Sequence, residues 1–347
     1  MTRNTSALKK SATIIPVSTP ECQVISWKQT LKSAFYDTDQ LLEYLQIKQS
    51  IYQLQNPVQS NFPMRVPLPF AEKMEKGNIN DPLLLQVLAK HLENLTVEGY
   101  SDDPLQEQQN TVPGLLHKYS GRVLLLLTGS CAVNCRYCFR RHFPYEQQLA
   151  SGENLNENLK YIEEDATIRE VILSGGDPLL VNDSQLEQLI YRLDKIKHLT
   201  RLRIHSRLPI VIPQRLTDAL QRCLAETRLQ TSIVIHANHA NEIDDILGEK
   251  LVNLARNGVS LFNQSVLLKN VNDNPETLAD LSEKLFEYQV IPYYIHQLDP
   301  VAGAAHFDVD KKRALDIMRQ LGDLLPGYLL PKFVMEEPEK ACKTILF

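Results

Sequence analysis

The 347-residue chain has no apolar run approaching the roughly 20 residues that a membrane-spanning helix needs. Its N-terminus sets Arg3, Lys9 and Lys10 among Ser and Thr and so lacks the apolar block of a secretory signal. Neither a membrane-embedded nor an exported protein is expected, and the expected compartment is the cytoplasm. Positive charge is not in excess either: 37 Lys and Arg face 42 Asp and Glu, for a formal net charge of -5. Phosphate neutralisation calls for a concentrated positive face, so nucleic acid is not expected as a main partner. Nor is there a spread cysteine framework. Of six cysteines, three crowd into one short segment while Cys22, Cys223 and Cys342 stand apart, which favours reduced thiols with a metal role over disulfides. Low-complexity tracts and sequence repeats are absent as well. What is present is 43% hydrophobic and 23% charged residues, enough to bury a sizeable core in one large domain or one domain with a smaller attachment.

Residues 1–115 read as a mainly helical N-terminal region. Leu41, Leu42 and Leu45, and then Leu84, Leu85, Val87, Leu88 and Leu92, recur near helical spacing, with Pro63, Pro67 and Pro69 as interruptions. The pattern then changes to short β-rich runs: Val123 to Leu127, Val171 to Leu173, Leu202 to Ile204, Ser232 to Ile235, Ser260 to Leu268 and Ile291 to Ile295. Helix-like stretches lie between them, such as Leu216, Ala219, Leu220, Cys223 and Leu224 behind Pro213, and Ile243, Ile246, Leu247, Leu251 and Leu254 behind Asn241. Cys223 is thereby a packing residue. Six strand-then-helix units fit between about Arg122 and Leu321. Such alternation implies an α/β fold, with a parallel sheet covered by helices and closed into a complete or partial (β/α)6 barrel over residues 116–330. Its chemistry belongs at the C-terminal ends of the strands. Residues 331–347 form a C-terminal segment that, as a terminus, reads by default as a fraying tail.

Cys131-Ala-Val-Asn-Cys135-Arg-Tyr-Cys138 places three thiols on a loop directly after the first of these strands. Three soft ligands hold three irons of a four-iron–four-sulfur (4Fe-4S) cluster and leave the fourth open, unlike the four-cysteine ligation of electron-transfer clusters. An open iron is what radical-SAM enzymes use to chelate S-adenosylmethionine. The alternatives are buried packing thiols or a zinc site with His142 as fourth ligand. Ser174-Gly-Gly-Asp177-Pro178 follows the second strand. Gly175 and Gly176 allow close approach to the backbone, which suits the aminoacyl end of S-adenosylmethionine and suits a plain strand-to-helix turn as well.

Beyond these motifs, a set of segments resembles the lysine 2,3-aminomutase family of radical-SAM enzymes. They are Val112-Pro-Gly-Leu-Leu-His-Lys-Tyr119, Arg122 to Thr128, Cys135-Arg-Tyr-Cys138-Phe-Arg140-Arg141, Ser174 to Leu179, Asn263-Gln264-Ser-Val-Leu-Leu268 with Asn272 and Asp273, and Pro292-Tyr-Tyr-Ile295 through Asp299 to His306 and Phe307. The resemblance runs from about Val112 to Lys343. It is nearest to the short branch that supplies (R)-β-lysine for elongation factor P, since the chain stops soon after Lys343, where longer members continue.

The resemblance implies pyridoxal 5'-phosphate as a further cofactor, because moving an amino group between adjacent carbons by a radical route needs the aldehyde, and a lysine must hold that aldehyde between turnovers. Lys343 stands at the family's position, although the glycine run that precedes it elsewhere is here Glu339-Lys340-Ala341-Cys342, which leaves Lys340 as the alternative. The resemblance assigns the cofactor phosphate to Arg122, Lys118 and Tyr119. Lys118 stands where close relatives have arginine, and so keeps the charge without the planar fork. Tyr137 and Gln264 are carried over as cofactor-site residues, as are Ser174, Gly175, Gly176 and Asp177. Arg140 is assigned the α-carboxylate of the substrate, and Asp299 with Glu336 the far ammonium of L-lysine, Glu336 standing where longer relatives have aspartate. His236 and His239 have a metal-ligand spacing without a third ligand, and read as polar groups at the barrel mouth.

The expected function is therefore an isomerase converting L-α-lysine to β-lysine, with a functional link to elongation factor P and its lysyl ligase. The rivals are an aminomutase for another amino acid, such as glutamate, and a non-catalytic partner of the elongation factor P system. Asp299 and Glu336 oppose an acidic substrate terminus, because like charges would meet in a buried pocket.

Overall fold

Tyr119-Ser-Gly-Arg122 reverses the chain within two residues, with Gly121 at φ 72°, and pairs β1 (Leu115–Tyr119) antiparallel with β2 (Arg122–Thr128). From β2 onward every return to the sheet is parallel: β3 (Glu170–Gly175), β4 (Arg201–Ser206), β5 (Gln230–Ile235), β6 (Ser260–Val266), β7 (Ile291–His296) and β8 (Lys332–Met335). The two-residue β9 (Thr344–Ile345) then runs back along β8. The strand order in the nine-stranded sheet is the chain order. This computed structural model describes residues 26–54, 62–108, 112–338, 340 and 342–347; Cys22 lies outside the described residues.

Six helices of nine or more residues fill the crossovers: Gly152–Glu164, Asp183–Lys195, Asp218–Glu226, Asp245–Arg256, Pro275–Glu287 and Lys311–Leu324. Five of them begin at a residue whose side chain accepts from the first turn's amides, namely Asn182, Thr217, Asp244, Asn274 and Asp310, caps worth about 1 kcal/mol each. Their apolar stripes, for example Leu186, Leu189, Ile190 and Leu193, are buried against the sheet. The strands alternate with period two. On β6, Leu261, Asn263 and Ser265 are buried, while Phe262, Gln264 and Val266 line a lumen. The α/β architecture with six strand-then-helix units is the one expected.

Two expectations need correction. The last segment is not a fraying tail. Phe333 and Val334 are fully buried on β8, and β9 is hydrogen-bonded beside them, so this stretch is a seventh parallel strand with an antiparallel edge. The N-terminal leucine clusters do form helix, but among the described residues only in short pieces: Trp27–Lys32, Thr38–Tyr44, Gln49–Leu54, Leu68–Ala71, Pro82–Leu85 and the 3-10 turn His91–Asn94. Leu83, Leu84, Leu85, Val87 and Leu88 are buried on all sides instead of along one stripe, and they belong to core clusters shared with barrel residues such as Val123 and Val301. No helix among the described residues is long and apolar enough to cross a membrane.

Candidate active site

The strands surround a cavity of about 1180 Å³. Cys131, Cys135, Tyr137, Cys138 and Arg140 line it from the loop after β2; Ser174, Gly175, Gly176 and Asp177 line it from the end of β3. Gln264, Asp299, Glu336 and Lys343 enter from β6 and the loops beyond, with Tyr119 and Arg122 from the β1–β2 turn. Of the residues assigned to the cluster, the cofactors and the substrate, Lys118 alone is not in the wall; it joins through an ion pair to Glu336 at 2.8 Å.

The cysteine loop is held from the N-terminal region. Arg65 Nη1 donates to Cys131 O at 2.7 Å, and Arg136 N donates to Gln86 O at 2.9 Å. The buried Arg136 guanidinium and Arg141 both pair with Glu93, whose ionisation they favour against the cost of its burial. The three thiols are free and partly buried. Burial, and then the nearness of the other cysteines, pushes Cys131 well up and Cys138 up to about 11. Thiols that raise one another in this way ionise together only around cationic centres, and three soft donors on one cavity wall are the kind of donor set an iron–sulfur cluster takes. His142, the possible zinc ligand, is turned away: its Nε2 lies 3.3 Å from Ala302 O and 3.5 Å from Asp102, outside the cavity wall. Cys223 packs against the main core as expected.

Gly175 and Gly176 serve this loop first. Gly176 N donates to Thr128 O at 2.6 Å and Asp177 N to Ser130 O at 2.8 Å, so these two amides are committed within the protein instead of facing a ligand. A Cβ on Gly176 would lie 2.3 Å from Ser130 O, and one on Gly175 2.5 Å from Thr128 O. The Asp177 carboxylate is likewise internal, accepting from Leu179 N, Ser206 Oγ, Arg207 N and Leu208 N, which joins the ends of β3 and β4. Arg207 itself escapes a reading of the sequence. Its guanidinium donates to Cys135 Sγ at 2.7 Å, to the Tyr137 hydroxyl, to Gln86 Oε1 at 2.6 Å, and to Glu242 Oε2 at 3.1 Å. The only hint is its place directly after a strand, at the C-terminal end where barrels keep their chemistry.

At the opposite wall, the Glu336 carboxylate gathers Lys343 Nζ, Lys118 Nζ and the Tyr119 hydroxyl, the last at 2.6 Å. Burial alone would raise its pKa, but Lys343 and Lys118 hold it well below the usual carboxylate range. Lys340 instead pairs with Glu337 on the exposed side, at 2.6 Å, so Lys343 is the lysine that reaches the cavity. Arg122 stacks over the Tyr119 ring at 4.5 Å and makes no ion pair with a described residue, which leaves a cation open to a phosphate near Lys343. The residues present thus fit a pyridoxal phosphate. Gln264 lines the cavity, and its side chain makes no hydrogen bond to a described residue. His236 also lines it, 3.4 Å from His205 Nδ1, and burial pushes it down to about 4. His239 caps the turn Ala240–Glu242 through Nδ1, so the two do not converge.

The two residues assigned to the ends of the substrate differ in their present partners. The Asp299 carboxyl makes no hydrogen bond or ion pair with a described residue; burial, then Glu336, pushes it up to about 7. Arg140 already holds a carboxylate: Nε donates to Glu107 Oε2 at 2.7 Å and Nη2 to Glu107 Oε1 at 3.2 Å. Glu107 is absent from the sequence reading because a lone glutamate among Gln106, Gln108 and Gln109 carries no pattern.

Residues 125–282 match the family model described as Radical SAM superfamily. An L-lysine 2,3-aminomutase of Escherichia coli (strain K12) is 49% identical over 336 residues, covering 96% of this chain and 98% of that one. The L-lysine 2,3-aminomutase of Haemophilus influenzae is 49% identical over 321 residues, 92% of this chain and 95% of its own. That of Clostridium subterminale is 34% identical over 320 residues, 92% of this chain and 77% of its own. A 4Fe-4S cluster and S-adenosylmethionine come with the superfamily. With likeness of this extent added to a cysteine loop at the mouth of a parallel barrel, the chain belongs to the L-lysine 2,3-aminomutase family of radical-SAM isomerases.

Proposed function

We propose that this enzyme moves the α-amino group of L-lysine to the adjacent carbon, giving β-lysine, with pyridoxal phosphate as well as the cluster and S-adenosylmethionine. The observation that carries the reading is a single cavity whose wall holds the three thiols together with Lys343 and the unpartnered Asp299. The cluster with S-adenosylmethionine supplies one-electron chemistry, and the pyridoxal aldehyde carries the nitrogen that migrates. The protein's own share is positioning and charge. Cys131, Cys135 and Cys138 hold the cluster, with Tyr137 and the Ser174–Asp177 turn beside it. Lys343 would hold the aldehyde, with Arg122, Lys118 and Tyr119 to serve the phosphate and Gln264 as a further cofactor-site residue. Arg140 takes the α-carboxylate, while Asp299 takes the ε-ammonium. Glu336 turns to that ammonium only if Lys343 releases it. The recessed lumen limits the access of water to reactive species.

The free Asp299 carboxyl favours a cationic side-chain end over that of glutamate. Resemblance to the short branch supports delivery of the product to a ligase that modifies elongation factor P. Anaerobic reconstitution with iron, sulfide, pyridoxal phosphate and S-adenosylmethionine, followed by product analysis with isotopically labelled L-lysine, tests the reading. β-Lysine is the expected product, and borohydride should fix the pyridoxal on Lys343. Faster conversion of glutamate, or a label on Lys340, would overturn the respective assignments.

A further inference from the structure

Segment 101–107 spans from the Asp299 loop to Arg140, and it is fastened at both ends. At its start, Ser101 N donates to Pro300 O at 3.0 Å and Ser101 O accepts from Ala302 N at 2.9 Å, a parallel bridge to Val301 just beyond Asp299. At its finish, the Glu107 carboxylate, with its side chain only 9% exposed, pairs with Nε and Nη2 of Arg140. Between the two, Leu105 is buried, and the Asp103 carboxylate accepts from Glu107 N at 2.9 Å and Gln108 N at 3.0 Å. Leu105 and Glu107 both line the cavity.

We propose that this strap is the length gauge of the substrate pocket: Glu107 is a positioning residue that sets the Arg140 guanidinium at a fixed separation from Asp299. That separation selects amino acids by the distance between α-carboxylate and side-chain ammonium. The inference rests on the reading that Arg140 and Asp299 hold the two ends of the substrate.

A guanidinium offers two forks of parallel N–H donors. Glu107 takes the fork formed by Nε and Nη2, while Nη1 reaches Ser174 Oγ at 3.2 Å and Gly175 O at 3.5 Å. The edge shared by Nη1 and Nη2 is what remains for a substrate carboxylate, and its direction is set by the plane that Glu107 imposes. With that pair gone, the guanidinium keeps its contacts through Nη1 and its place over the Phe139 ring at 4.8 Å, but loses the bidentate partner that fixes its plane and can turn about its long stem. A swinging fork meets shorter amino acids as readily as longer ones. Because the strap is also tied beside Asp299, its stiffness governs both ends of the measured length.

The test compares L-lysine with L-ornithine, one methylene shorter, on fully reconstituted enzyme with iron and pyridoxal content measured in each sample. Glu107→Gln keeps the shape of the side chain and removes its charge. Lysine KM should rise roughly tenfold, the scale of a lost charge-assisted hydrogen bond, with kcat little changed, and the lysine-over-ornithine ratio in kcat/KM should fall by a similar factor. Asp103→Asn, which loosens the strap from an outer position, should move the same ratio in the same direction by a smaller amount, and it carries the test if Glu107→Gln does not fold. An unchanged ratio with lysine and ornithine losing activity equally would overturn the gauge, as would a lower lysine KM, which would make Glu107 a competitor for Arg140. Wild-type enzyme that leaves lysine untouched would overturn the substrate reading instead.

Discussion

Asp299 shows what a single carboxyl does when it lines a cavity half-buried, with no cation paired to it among the described residues. Held at about 7 by burial, then by Glu336 and further by Glu107, it is protonated through the acid range in which ordinary aspartates are ionised. A protonated acid does not pair with an ammonium, so kcat/KM for lysine should climb about tenfold per pH unit below about 7 and level off above it, a limb that Asp299→Asn should abolish together with most turnover. A pH-rate profile flat through this range would remove Asp299 from the site. Stability runs the other way. Between the usual aspartate value of about 4 and about 7, the folded form carries a proton that the unfolded form lacks, so this group makes the unliganded protein less stable as pH rises through that window. At this scale the sequence led to the cavity where a family pattern names the residue, as for Arg140, Asp299 and Lys343, all of which line it. It was silent on Glu107, whose meaning lies in a partner 33 positions away, and on Arg207, whose contacts come from four separate stretches of chain.

Among the elements, the turn after β3 and the loop after β2 form one unit, welded by the amides of Gly176 and Asp177. Gly176→Ala brings a Cβ within 2.3 Å of the Ser130 carbonyl, a backbone atom that yields only if the loop shifts. Iron bound per chain after reconstitution should therefore drop by more than half, while the far-UV circular dichroism of the barrel stays close to wild type. Full iron content in the variant would show that the turn does not position the cysteines. Long helices and central strands were readable from periodicity, because each buries a stripe or a face of matching period. The missed elements had weaker signals. β1 is betrayed only by the Ser120-Gly121 turn, and β8 and β9 hold four and two residues, too few for a period to repeat. The N-terminal region is less helical than expected because its leucines are buried on all sides, a condition that spacing alone does not separate from a stripe.

For the whole molecule, the edges of the sheet are drawn together by charge. Lys118 of β1 and Lys343 beside β9 share the Glu336 carboxylate that follows β8, so the first and last strands meet through an ion cluster instead of a backbone ladder. Glu336→Gln should speed amide hydrogen exchange in β1, β8 and β9 by roughly tenfold, the cost of losing charge-assisted hydrogen bonds, and leave β4 to β6 unchanged. Uniform exchange across the sheet would mean that the edges are held by something else. Alternation of strand and helix made the barrel legible, but this closure depends on Lys118 and Glu336, 218 positions apart, and no local pattern encodes it. The strap along the cavity wall has a practical consequence of its own. Since it touches the Asp299 loop through backbone atoms and Arg140 through one side chain, it is a removable part: grafting a longer or shorter 101–107 segment offers a route to retune which diamino acid is accepted without altering any residue of the parallel strands.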